Sequence, residues 1–212
     1  MNTKKTDPVY EKGLSDKVYQ NKSVCLISLH GWTGNNNSLS LLKYILPNKN
    51  IIWEFPQAPY QARKEGHSWF RGNKIQGWEN NKSLYLLENL VFKKNKNGIK
   101  HQNIFVLGFS QGGCMALEFI KKQKFSLGGV ITIGGFVRDK NSFSKDINVN
   151  SKNTPVLIIH GEEDKIINPR ESEVMESLLK NNGFKTYLKK FSCGHKIPFK
   201  AKDSILSFLF GN

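Results

Sequence analysis

The chain has 212 residues and a mass of 24.2 kDa, which suits one domain whose core needs neither disulfides nor metals. Hydrophobic residues make up 38% and charged residues 23%, a balance that argues against disorder and against a membrane-spanning protein. The net charge of +15 comes from 28 Lys and four Arg set against 17 acids, and it bears on partners and solubility rather than on fold. Asparagine is also abundant, at 22, and Lys and Asn share AT-rich codons, so genome composition is an expected source of much of this charge.

In chain order, the apolar run at residues 23–29 (SVCLISL) predicts a buried strand, and residues 39–46 a short helix. Residues 51–54 predict the next strand. A loop rich in Pro, Gly and aromatic residues extends to about Trp78. Residues 81–94 predict a helix with Leu84, Leu87 and Val91 on one face and lysines at its C-terminal end, where the helix dipole favours them. Residues 103–107 predict a strand, 111–122 a helix and 129–133 a strand. The polar stretch 138–154 is expected to be a mobile excursion. Residues 155–159 predict a strand, 171–180 a helix, 185–191 a strand and 204–210 a last helix. Strands alternating with helices imply βαβ units and a mainly parallel sheet covered on both faces, an α/β class. The strands are apolar throughout, as two covered faces require. Residues 1–22 read as an N-terminal extension in which 9–19 add an edge hairpin, and 23–212 as one domain.

Cys25, Cys114 and Cys193 are far apart, odd in number and without a CxxC, which suits a reducing compartment and neither a disulfide framework nor a thiolate metal site. Residues 1–8 carry lysines with no apolar run behind them, unlike a signal peptide, and no run approaches the roughly 20 apolar residues of a membrane span. A cytoplasmic protein is expected.

Gly108-Phe109-Ser110-Gln111-Gly112-Gly113 lies between a predicted strand and a predicted helix. In that context GxSxG is a nucleophile elbow: small residues let the chain turn sharply and leave the Ser110 hydroxyl exposed above the sheet. Outside it, the same residues make a plain glycine-rich turn. A serine hydroxyl needs a base. Of five histidines, His195 follows the last strand and stands on the same side as Ser110. His30 and His160 end strands before glycines and read as loop-shaping residues, His67 sits in the aromatic loop, and His101 reads as a solvated turn residue. The orienting acid should fall between Ser110 and His195. Asp139, Asp146 and Asp164 do, and Asp164 alone immediately follows a strand, with Glu162 and Glu163 as solvated competitors. The oxyanion formed on attack needs backbone donors. The Gln111 amide is one, and the Trp32 amide, in the loop His30-Gly31-Trp32-Thr33-Gly34, is the favoured second.

Together these residues resemble the phospholipase/carboxylesterase family of α/β-hydrolases. His30-Gly31-Trp32, Phe55-Pro56-Gln57-Ala58-Pro59, Ser68-Trp69-Phe70, the GFSQGG segment, His160-Gly161…Asp164 and Gly194-His195 follow the family order over about residues 23–210. The resemblance implies an α/β-hydrolase fold with a minimal cap or none. It carries a triad onto Ser110, Asp164 and His195, and oxyanion donors onto Trp32 and Gln111. Where the family usually has glycine this chain has Thr33, where it often has leucine Trp32, and where it often has aspartate Arg71. Trp69 and Phe70 are candidates to line a substrate pocket.

The expected activity is hydrolysis of carboxylic esters or thioesters, of small or lipid-derived substrates, by a serine enzyme. Alternatives are a peptidase or acyltransferase on the same triad, or a non-catalytic binding protein on a hydrolase scaffold. No metal or organic cofactor is implied: HExxH, GxGxxG and a P-loop are absent from the sequence. The lysines are scattered and accompanied by no nucleic-acid motif, which argues against that partner. Peripheral contact with an anionic membrane remains an expectation from charge alone.

Overall fold

The computed structural model describes residues 23–73 and 75–211, so the predicted 9–19 hairpin lies outside the described residues. In chain order come β1 (Val24–Leu29), α1 (Leu42–Ile45) and β2 (Ile51–Glu54), then four short strands, β3 (Tyr60–Gln61), β4 (His67–Ser68), β5 (Arg71–Asn73) and β6 (Gly77–Glu79). The helix α2 (Asn81–Lys96) leads to β7 (Ile104–Phe109), α3 (Gln111–Lys121) and β8 (Gly129–Ile133). After α4 (Lys140–Phe143) follow β9 (Val156–Gly161), α5 (Arg170–Asn181), β10 (Thr186–Phe191) and α6 (Lys202–Phe210).

Six strands form one parallel sheet in the order β10-β9-β8-β7-β1-β2. Side chains alternate between its faces. From β1, Cys25, Ile27 and Leu29 enter a core shared with α2, α3 and α5, while Val24 and Leu26 enter a second core shared with α1 and α6. That double burial is why β1 and β9 are buried along their whole length and, but for Ser28 and His160, carry no polar side chain. The edge strand β10 differs: exposed Tyr187 and Lys189 alternate with half-buried residues, a charged edge that resists further strand pairing.

Two connections depart from the sequence reading. The aromatic loop after β2 contains two antiparallel ribbons, β3–β4 and β5–β6, each two or three residues long, too short for a period-two pattern to register. The polar 138–154 stretch folds into α4 and two 3₁₀ turns. Asp139 caps α4 by accepting from the Asn141 and Ser142 amides, and Phe143 is fully buried among core side chains. Lys94, one of the lysines near the end of α2, is buried and paired with Glu54 at the end of β2. Among the described residues no helix is long and apolar enough to cross a membrane.

Candidate active site

Chain direction sets the position of the site. From β1 the chain steps outward to β2, and from β7 it steps the other way to β8, so the loops leaving β1 and β7 part above the sheet. Crevices at such a switch point are where open α/β sheets bind ligands. Here they hold the Trp32 loop and Ser110.

Ser110 has φ 53° and ψ −117°, a conformation rarely adopted outside glycine and costing on the order of 1–3 kcal/mol. The surrounding chain enforces it. The Ser110 amide donates to Ile133 O at 2.8 Å, and its carbonyl accepts from Gly113 and Cys114. A Cβ on Gly108 would sit 2.2 Å from the Gly112 carbonyl, and a Cβ on Gly112 would sit 2.2 Å from Leu29 O. Only glycine at both positions lets α3 start directly against the ends of β7 and β1.

Three side chains from three strand ends converge here. His195 Nε2 lies 3.0 Å from Ser110 Oγ, and His195 Nδ1 lies 2.7 Å from Asp164 Oδ2. The Asp164 side chain is 1% exposed. Its Oδ1 accepts the Ile166 and Ile167 amides at 2.8 and 2.9 Å. Burial raises its pKa, but the Ile167 amide, His195 and the Ile166 amide outweigh this and hold the carboxyl below its ordinary value. His160 Nε2 stands 3.3 Å from Asp164 Oδ2 and 3.0 Å from Ile167 O. Both neighbours are acceptors, so this nitrogen carries the proton, and the buried Nδ1 has no partner among the described residues. His160 thus donates to the Ile167 carbonyl and packs against Asp164, a contact that sequence spacing alone does not reveal.

The competing acids lie elsewhere. Glu162 and Glu163 are exposed, with Glu162 accepting from Ser192 Oγ at 3.1 Å. Asp139 caps α4, and Asp146 is exposed.

Among the described residues the amides of Trp32 and Gln111 donate to no protein acceptor, whereas those of Thr33, Gly34, Ser110 and Gly113 around them do. The loop carrying Trp32 is braced from below. Ala58 N donates to His30 Nε2 at 3.2 Å, which puts the His30 proton on Nδ1, 2.7 Å from Gly31 O. Burial lowers the His30 pKa, which keeps that neutral form. Thr33 takes φ 65°, the left-handed conformation that favours glycine. It is held by donating its amide to His67 O at 3.0 Å and its hydroxyl to Trp32 O at 2.6 Å.

Trp69 and Phe70 require a correction as pocket-lining residues. Trp69 is fully buried, with its indole donating to His30 O at 2.8 Å and its amide to Gln111 Oε1 at 2.9 Å. Phe70 is 4% exposed and lies under the Arg138 guanidinium. Trp69 thereby ties the aromatic segment to the Trp32 loop and the Ser110 turn. His101 also departs from expectation: it stacks on Phe125 with centroids 4.0 Å apart.

A cleft of about 570 Å³ opens beside Asp164, between the segment after β8 and the one after β9. Phe136, Arg138, Lys140, Ile166, Ile167 and Glu171 are among the residues that line it.

This sheet, with a serine at the sharp turn after β7 and an acid and a histidine on later strand ends, defines an α/β-hydrolase. The chain belongs to the phospholipase/carboxylesterase family, whose model matches residues 17–210. That match begins inside the segment read as an extension. A rice protein named as a probable carboxylesterase is 28% identical over 171 residues, 74% of this chain and 64% of its own length. The acyl-protein thioesterase 1 homolog 2 of Dictyostelium discoideum is 29% identical over 180 residues, covering 78% of this chain and 73% of that protein. The crystal structure of Arabidopsis thaliana SOBER1 superposes with a TM-score of 0.78 over 88% of this chain and 97% of that one, at 22% identity. This chain therefore spans just under two thirds of the rice relative.

Proposed function

We propose that this protein is a serine hydrolase that cleaves carboxylic esters or thioesters through an acyl-enzyme. The observation that carries the reading is the unbroken hydrogen-bonded chain from Ser110 Oγ through His195 to Asp164. Membership of a phospholipase/carboxylesterase family, with relatives named as carboxylesterase and thioesterase, supports hydrolysis of that bond class.

Ser110 Oγ attacks the acyl carbon while His195 Nε2 takes its proton. Asp164 holds the imidazole with Nδ1 protonated and stabilises the cation that forms. The oxyanion points to the Trp32 and Gln111 amides, whose hydrogen bonds are not spent on the protein. His195 returns the proton to the leaving oxygen or sulfur. Water, deprotonated by His195 in turn, then releases the acid. Residues 23–212 are the catalytic domain in this reading.

A fluorophosphonate probe tests it, because such reagents need both an activated serine and an oxyanion site. Mass spectrometry should locate one adduct, on Ser110, and Ser110→Ala should abolish labelling and turnover together. An adduct on another serine, or none on folded wild type, overturns the reading and leaves a binding protein on a hydrolase scaffold. Cleavage of a p-nitrophenyl ester set against an amide anilide separates an esterase from a peptidase.

A further inference from the structure

Among the described residues, Arg138 is a cation whose charge finds no counter-ion. Its guanidinium lies between two aromatic rings, 4.2 Å from the Phe70 centroid and 4.1 Å from that of Trp78. Its Nε is buried and has no hydrogen-bond partner. No carboxylate pairs with it. Asp139, next in sequence, spends Oδ1 on the Asn141 and Ser142 amides and Oδ2 on the Ser142 hydroxyl. Glu171, across the cleft, pairs with Lys140 at 2.7 Å. Glu118 on α3 pairs with Lys121 at 2.8 Å. Burial pushes the Cys114 thiol up to about 12, so it is neutral near pH 7. Burial also lowers the Arg138 pKa, which the Glu118 carboxylate only partly offsets.

A desolvated cation without a partner is costly, and two rings over its faces repay part of that cost. The rings cover the faces of the guanidinium and leave its edge, where the N–H groups point. That edge matches the paired oxygens of a carboxylate or phosphate. The location connects this group to the chemistry. Arg138 lines the 570 Å³ cleft. Four residues before it, a Cβ on Gly134 would stand 3.2 Å from His195 Cε1. The opposite wall, Ile166 and Ile167, supplies the amides that hold Asp164.

We propose that Arg138 forms an anion subsite, selecting ester substrates that carry a second, negatively charged group, a carboxylate or a phosphate, several bonds from the scissile ester. This deepens the serine-hydrolase reading and rests on it for the reaction, though not for the binding.

Two measurements test it. The first compares the p-nitrophenyl monoester of glutaric acid, which keeps a free carboxylate, with the neutral p-nitrophenyl hexanoate. Wild type should favour the anionic ester in kcat/KM, chiefly through KM, and Arg138→Met should reduce that preference at least tenfold. A ratio taken on one preparation cancels differences in folded fraction. The second measures melting temperature of Ser110→Ala, with and without Arg138→Met, in glutarate and in inorganic phosphate at matched ionic strength. A rise that requires Arg138 supports the subsite, with glutarate alone naming a carboxylate and phosphate alone a phosphate group. If wild type cleaves neither ester but the Arg138-dependent rise is present, the hydrolase reading fails and the anion site stands. An unchanged ester ratio overturns the proposal, and so does a melting temperature indifferent to both anions.

Discussion

Asp164, buried, and Arg138, half-buried, are two charges drawn from water in the same part of the molecule, and they are treated in opposite ways. Asp164 receives three donors: two backbone amides on one oxygen and the His195 imidazole on the other, with His160 packed beside it. Arg138 receives aromatic faces and no acceptor. A fully satisfied charge is fixed in place, because any rotation of the carboxylate breaks several charge-assisted bonds at once. A charge with covered faces and an open edge is complementary to something that arrives. The first arrangement suits a residue that orients a base, the second a residue that chooses a substrate.

The largest effect should come from breaking the first arrangement chemically. Asp164→Asn keeps the shape but replaces an acceptor-only group with an amide that cannot stabilise the imidazolium. Turnover should fall by about 10⁴, measured as kcat on a p-nitrophenyl ester, with the melting temperature changed far less. A loss below tenfold would reassign the orienting role to Glu162 or Glu163.

Loosening the segment that supplies the two amides should cost less. His160→Leu removes the hydrogen bond to the Ile167 carbonyl and should lower unfolding free energy by about 1–3 kcal/mol in urea titration. Rescue by His160→Gln, which retains an N–H donor, would tie the loss to the bond rather than to packing.

Acid should weaken the same arrangement. The folded-state pKa of Asp164 is depressed, so its stabilisation is present above the unfolded value of about 3.9 and is lost as pH falls through the lower folded value. Wild type should therefore lose melting temperature more steeply than Asp164→Asn on titration below about pH 4. Parallel curves for the two proteins would remove Asp164 from the acid transition.

The smallest effect belongs to Arg138. Arg138→Met discards a desolvated charge and its stacking energy together, terms of opposite sign and similar size. Unfolding free energy should change by no more than about 1 kcal/mol, a melting shift within about 2–4 °C. A much larger loss would mean that Arg138 pins the β5–β6 ribbon, through Trp78, as a structural clamp.

Much of this molecule was legible in its residues because the determining forces are local. Apolar runs separated by helical periodicity identify the parallel sheet and its helices, with ends displaced by at most two residues for β7, α2 and β9. The Gly108–Gly113 turn is equally local, since two glycines next to a serine between a strand and a helix permit a backbone that larger residues forbid. The order of Ser110, Asp164 and His195, each following a strand, places them on one edge of any parallel sheet, so their proximity follows from topology. Partnership between distant segments follows from packing instead. Trp69 and Phe70 stand in a loop by sequence and in the interior by structure, because Gln111 Oε1 and His30 O accept the amide and indole N–H of Trp69 and Ser68 Oγ accepts the amide of Phe70. The ribbons β3–β4 and β5–β6, with strands of two or three residues, are too short for periodicity and exist through pairing alone. Nothing beside Arg138 in the chain distinguishes it from three other arginines. Its rings come from residues 60–68 positions earlier, and its want of a counter-ion depends on where Asp139, Glu171 and Glu118 spend their charge. Conformation is set by neighbours in sequence, whereas the satisfaction of a buried polar group is set by neighbours in space, and only folding brings those together.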